Sequence, residues 1–187
     1  MSKKGSEFER ELCRTLSLWW TDGHRDDVFW RSQNSGGRAT TRRQKGKNTS
    51  GQYGDIAATD PVSVPLLEYI TFEMKRGYPK AIAQAVLDAP EGAVSGLLEG
   101  FFEQAETAAK NANTPFWAVI HRRDRRDAIL WMPRNPVILQ HIKRKIVLMG
   151  SSHNDTIIGV RLDDFLSEVT PRCILDLLDK WRKNNPA

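Results

Sequence analysis

The chain has 187 residues, long enough for one domain with a substantial core, and 40% apolar residues with six Trp and seven Phe exclude wholesale disorder. The net charge of +5 leans toward a polyanionic partner. Only Cys13 and Cys173 are present, far apart in sequence, which excludes a disulfide framework and a zinc ribbon; no apolar run approaches membrane-spanning length. Met1 to Gly5 leads straight into a charged helix with no signal-peptide pattern, so a reduced, cytoplasmic protein without membrane association is expected.

Ser6 reads as an N-cap with Glu9 completing a capping box, so residues 6–20 form an amphipathic helix bearing Phe8, Leu12, Leu16 and Trp19, with Cys13 as a core residue. Thr21-Asp22-Gly23 ends it. Val28 to Arg31 is a short strand, with Trp30 assigned to the core and base stacking as its alternative role. From Arg31 to Gly54 there are six basic residues (Arg31, Arg38, Arg42, Arg43, Lys45 and Lys47) and no acidic ones. A polar stretch of that length reads as a phosphate-contacting arm or as ordinary solvated loop charge.

Residues 54–58 and 69–75 read as two strands separated by a hairpin-like break at Asp60-Pro61. Strand alternation points Glu73 and Lys75 to one face and Phe72 and Met74 to the other. Antiparallel pairing would bring Asp55 beside Glu73. Two carboxylates and an ammonium on one surface suit a hard divalent cation with a lysine steadying a water, or else an exposed acidic face neutralised by a lysine.

Downstream, residues 81–87 read as a short helix and residues 97–111 as a longer one with Leu98, Phe101, Phe102, Ala105 and Ala109 on its apolar side. Phe116 to His121 and Ala128 to Met132 form a hairpin around a basic turn at residues 122–127, within a basic cluster that runs from His121 to Arg126. Residues 136–145 read as a helix, 156–160 as a strand, 162–168 as a helix opened by Asp163, and 172–183 as a C-terminal helix. Trp19, Trp20, Trp117, Trp131 and Trp181 are assigned to the core. The four histidines show no paired spacing, which disfavours a histidine-bound metal. The order describes an α/β fold, a mixed sheet flanked by helices.

Four segments in that order resemble the PD-(D/E)XK nuclease superfamily, closest in motif to archaeal-type Holliday-junction resolvases. They are Lys4-Gly5-Ser6-Glu7-Phe8-Glu9, Arg31-Ser32-Gln33-Asn34-Ser35, Gly54-Asp55-Ile56 with Phe72-Glu73-Met74-Lys75, and Gln104 ahead of Pro115-Phe116-Trp117. The resemblance covers residues 3–132. It implies a restriction-endonuclease-like fold in one nuclease domain, residues 1–187, with a basic loop at 32–54 and a C-terminal α/β extension at 133–187. It also implies Mg²⁺, with Mn²⁺ able to substitute, held by Asp55, Glu73 and the Met74 carbonyl, with Glu9 adding a direct or water-mediated contact. Lys75 would act on the attacking water, and the products would be a 5′-phosphate and a 3′-hydroxyl. Arg31, Ser35 and Gln104 would meet the scissile phosphate, with Ser32 in the same DNA-contacting loop, and the resolvases it resembles are homodimers. The arm is longer than in those resolvases and residues 76–100 read as an insertion, which suits a phage or mobile-element nuclease acting on duplex or branched DNA. The competing class is a non-catalytic DNA-binding or assembly protein that retains the nuclease fold.

Overall fold

The computed structural model describes residues 3–32, 54–81, 96–149 and 156–186. Helix α1 spans Lys3–Trp20 and buries Phe8, Leu12 and Leu16, three residues spaced by four that share one face. The helix is already formed at Lys3, so Ser6 lies within it and the capping box expected of Ser6 and Glu9 does not exist. Glu9 is thereby released from end-capping. Gly23, at φ 83, closes the helix by donating to the Leu18 carbonyl at 2.7 Å, as a left-handed C-terminal residue does.

Strands β1 (Phe29–Arg31) and β2 (Ile56–Ala58) pair antiparallel, with Trp30 opposite Ala57 and Arg31 opposite Ile56. The connection onward is not the expected hairpin. Asp60 caps a 3-10 turn, Pro61–Ser63, by accepting from Val62 N–H, and helix α2 (Val64–Tyr69) follows. Tyr69 therefore ends a helix, and β3 starts at Ile70 and runs to Arg76. The intervening helix lets β2 pair with β1 while its first residues still lean on β3.

The remaining elements are α3 (Leu97–Ala112), β4 (Phe116–Arg122), β5 (Ile129–Pro133), α4 (Pro136–Leu139), β6 (Ile146–Met149), β7 (Thr156–Arg161), α5 (Leu162–Glu168) and α6 (Pro171–Asn184). They build a five-stranded mixed sheet in the order β3-β4-β5-β7-β6, in which β3 and β4 are parallel and the other neighbours antiparallel. The expected helix at 136–145 is a single turn, and Ile146–Met149 is a strand that sequence reading missed. The strands after Met132 complete the same sheet that β3 begins. This is the restriction-endonuclease-like α/β architecture expected.

Helix α3 covers one face of the sheet, packing Leu98, Phe101, Phe102 and Ala105 on Trp117, Val119 and Trp131. The opposite face carries Phe72, Met74, Ile120, Leu130 and Val160 under α1 and α6. Trp19 and Trp181 only partly join that core. Trp30 is a correction: it is 51% exposed, because its neighbours Phe29 and Arg31 take the inward face of β1. Of the expected helix at 81–87, residues 82–87 fall outside the described residues.

Candidate active site

The site begins with a glycine. Gly54 has φ 81, and a Cβ there would stand 2.7 Å from the Phe72 carbonyl oxygen, so only glycine lets the chain press this closely on β3. That approach puts Asp55 N–H on the Phe72 carbonyl at 2.8 Å and lets Asp55 Oδ2 accept from Met74 N–H at 2.7 Å. Since the N–H and C=O of one strand residue leave the same edge, the Met74 carbonyl also faces the Asp55 side.

Glu73 and Lys75 stand on the α3 face of β3. Lys75 Nζ donates to Glu73 Oε2 at 3.1 Å and to Gln104 Oε1 at 2.8 Å, and Gln104 Nε2 donates to the same Glu73 oxygen at 2.8 Å. The three side chains form a closed triangle. The ammonium also lies over the Phe101 ring, 5.5 Å from its centroid. His121, opposite Lys75 on β4, is buried against Phe101, and burial pushes its pKa below the ordinary histidine range.

Glu9 enters from α1. The Ser17 hydroxyl donates to the Cys13 carbonyl and accepts from Phe29 N–H, which ties β1 to α1 and sets Arg31 against Glu9. Arg31 Nε lies 3.1 Å from Glu9 Oε2, yet that buried oxygen accepts no hydrogen bond. Ser32 is buried, its hydroxyl donating to the Gly54 carbonyl and its N–H to the Asp55 carbonyl, both at 2.8 Å. It braces the turn that carries Asp55.

Three carboxyls thus share one buried edge. Burial, and then the neighbouring Asp55, push the Glu73 carboxyl up to about 7. Burial raises Asp55 despite the opposing Met74 N–H, and burial with Asp55 raises Glu9. The same surroundings push the Cys13 thiol up to about 12, which keeps it protonated and removes it as a nucleophile. The like charges of Asp55 and Glu73 oppose full ionisation of both, and both carboxyls are held above their ordinary range. Only added positive charge or protons can settle such a cluster.

The chain matches the family described as "Phage putative PDDEXK endonuclease" over residues 1–184. It belongs to this family. No curated protein and no solved structure matches the chain.

For a member of this family, the group the fold implies is a hard divalent cation. Among the described residues no three His, Cys, Asp or Glu side chains group into a metal shell on their own. The donor set nevertheless fits Mg²⁺, which takes one or two carboxylates and leaves its other positions to water and phosphate. Asp55 and Glu73 supply the carboxylates, the Met74 carbonyl faces the same edge, and Glu9 has an oxygen with no hydrogen-bond donor.

Of the residues singled out in the sequence, the fold gathers Glu9, Asp55, Glu73, Lys75, Arg31 and Gln104. Ser35, Arg38, Arg42, Arg43, Lys45 and Lys47 lie outside the described residues. In the basic turn, Arg122 pairs with Glu11 and Arg76 with Asp124, so part of that charge is locally neutralised. Both guanidinium groups lie over Phe8, at 5.7 Å for Arg76 and 5.9 Å for Arg122. Sequence reading missed the bracing role of Ser32 and the bridging role of Gln104; a lone polar residue on a helix gives no sign of which strand it will face.

Proposed function

We propose that the chain is a Mg²⁺-dependent DNA endonuclease that hydrolyses phosphodiester bonds, with Mn²⁺ able to substitute. The observation that carries this reading is the convergence of Asp55 and Glu73 with Lys75 on one edge, at carboxyls held above their ordinary pKa. Asp55, Glu73 and the Met74 carbonyl would hold the ion, with Glu9 as a direct or water-mediated contact. When bound, the ion supplies positive charge against the phosphate and lowers the pKa of water. Lys75 Nζ orients the attacking water and donates toward charge building on the phosphate. Gln104 fixes Lys75 and Glu73 relative to each other before substrate arrives, which spares that ordering during reaction. Arg31, held beside Glu9, would meet the scissile phosphate together with Ser35.

The finer proposal is resolution of branched DNA by a homodimer, supported by the motif order shared with archaeal-type Holliday-junction resolvases. A two-fold dimer matches the pseudo-symmetry of a junction and cuts both strands with one site per chain. The arm residues Arg38, Arg42, Arg43, Lys45 and Lys47 would contact backbone phosphates. Neutralising Arg42, Arg43 and Lys45 should lower the slope of log affinity against log salt by up to roughly 0.9 per lost contact.

The test compares cleavage of linear, nicked, flapped and four-way DNA by wild type and Glu73→Ala, with and without Mg²⁺, alongside light scattering. Cleavage by wild type alone, and only with metal, is expected. Binding without cleavage at any Mg²⁺ concentration would identify a non-catalytic relative. A monomer that nicks linear duplex as fast as a junction would end the resolvase reading and keep the nuclease.

A further inference from the structure

Among the described residues two aromatic rings are largely exposed, Trp30 at 51% and Tyr78 at 45%; Trp30 precedes Arg31 and Tyr78 follows Lys75 by three residues. Trp30 pairs across the β1–β2 ribbon with Ala57, on the face opposite buried Phe29 and Ile56. Asp55 is two residues before Ala57, so the indole is its diagonal neighbour, at roughly 7–8 Å in strand geometry.

Tyr78 lies just past the end of β3. Its ring meets Phe101 edge-on at 5.1 Å, and Phe101 is the ring beneath the Lys75 ammonium. The backbone there is unusual: Gly77 at φ 95 is followed by Tyr78 at φ 44, the left-handed region that disfavours a side chain. Gly77 N–H donates to the Arg122 carbonyl and Ala81 N–H to the Tyr78 carbonyl, so the strained turn is tied at both ends. An exposed ring held in a disfavoured conformation, sharing the Phe101 ring with Lys75, points to a use outside the fold. The packing of the core explains neither ring, since each keeps about half its surface in water.

We infer that Trp30 and Tyr78 are stacking platforms for nucleobases on either side of the scissile phosphate, so the site takes DNA whose bases are unpaired at the cut. The inference rests on the nuclease reading above. In an intact duplex both faces of each base are covered by its neighbours. A protein ring can stack only on a base that is unpaired or displaced, as at a flap, gap, end or branch point. Arg31, next to Trp30 in sequence but on the inward face of β1, and Lys75, over the Phe101 ring that Tyr78 meets, would supply positive charge to the intervening phosphate.

The experiment titrates full-length protein, without metal, into flapped and matched duplex DNA carrying 2-aminopurine beside the branch point on one side or the other. Wild type should quench the flap probes and leave the duplex probe unchanged. Trp30→Leu should lose quenching on one side and Tyr78→Leu on the other, each weakening flap binding about 5-fold or more. Trp30→Phe and Tyr78→Phe, which keep a ring, should retain most of both signals. Quenching by the Leu variants equal to that of wild type, or equal losses in the Leu and Phe variants, would overturn the inference. Should a Leu variant fail to fold, wild type decides the matter: equal quenching of flap and duplex, or none, overturns it. The titration needs no turnover, so failure of the nuclease reading shows separately, as wild type that cleaves nothing with Mg²⁺.

Discussion

The two edges of the central sheet are finished in opposite ways. At β3 the edge is overlaid by Gly54 and Asp55 and carries Glu9 and Glu73, two carboxylates with under a tenth of their surface in water. At β6 the edge exposes Ile146 and Val147, each about half in water. Natural sheets usually reserve charge for exposed edges, where it deters pairing, and apolar groups for covered ones. Here the covered edge holds the charge, against the desolvation cost that raises all three carboxyls. The difference is what the proposed nuclease site on β3 would require.

The largest effect should come from removing that chemistry. Glu73→Ala and Lys75→Ala should each slow single-turnover cleavage by about 10²–10⁴-fold or more. Melting temperature should be unchanged or raised in Glu73→Ala and lowered in Lys75→Ala, which takes an ammonium away from the carboxyls. Relief of carboxylate repulsion in Glu73→Ala opposes any packing loss. Turnover within a few-fold of wild type in either protein would remove the site from β3.

Two glycines sharpen the contrast. Gly54→Ala meets a backbone oxygen and a left-handed φ, neither of which can yield, and should cost about 2 kcal/mol or more in urea unfolding while also displacing Asp55 and cleavage with it. At Gly159 the nearest atoms an added Cβ would meet belong to the Trp131 ring, and Gly159→Ala should cost about 1–3 kcal/mol with the rate per folded molecule kept. Equal effects on rate would mean that the Gly54 approach does not set the site.

The third prediction concerns pH. Glu73 titrates at about 7 in the folded protein against 4.5 ordinarily, so between these values the folded state holds more protons than the unfolded chain. That stability is fully present below about 4.5 and is lost as pH rises through about 7, at about 1.4 kcal/mol for each pH unit between the two values. The metal-free protein should therefore lose melting temperature from pH 5 to 7.5. Mg²⁺ or Mn²⁺ should restore it increasingly toward the high end, because the ion replaces the departing protons. Glu73→Gln should flatten the pH dependence, and Asp55→Asn should abolish the metal response. A metal-induced rise equal in wild type and Asp55→Asn would place the ion elsewhere.

The smallest effect belongs to the other edge. Val147→Lys should change stability by less than about 0.5 kcal/mol, since the side chain is half in water already, and should leave cleavage intact. Urea melts and the cleavage assay check both. A large loss of either would show that the β6 edge matters to the protein as much as the β3 edge does.

What the sequence determined by itself was local and periodic. Alternation in Phe72-Glu73-Met74-Lys75 put the carboxylate and the ammonium on one face, and helical spacing gave α3 its buried side and left Gln104 at its margin. Those rules depend on backbone geometry that neighbours cannot alter. The tertiary structure decided which surfaces meet. Asp55 reaches Glu73 by a close backbone approach at Gly54 with a helix in between, not by the hairpin that the turn residues suggested. Glu9 faces the site because α1 docks on β1 through Ser17 and Phe29, and Ser32 braces the turn because the fold buries it. Trp30 faces water because Phe29 and Arg31 claim the inner face of β1. The raised carboxyls belong to that second class as well: desolvation and like-charge repulsion arise only once separate segments are packed together, and no single stretch of the chain contains them.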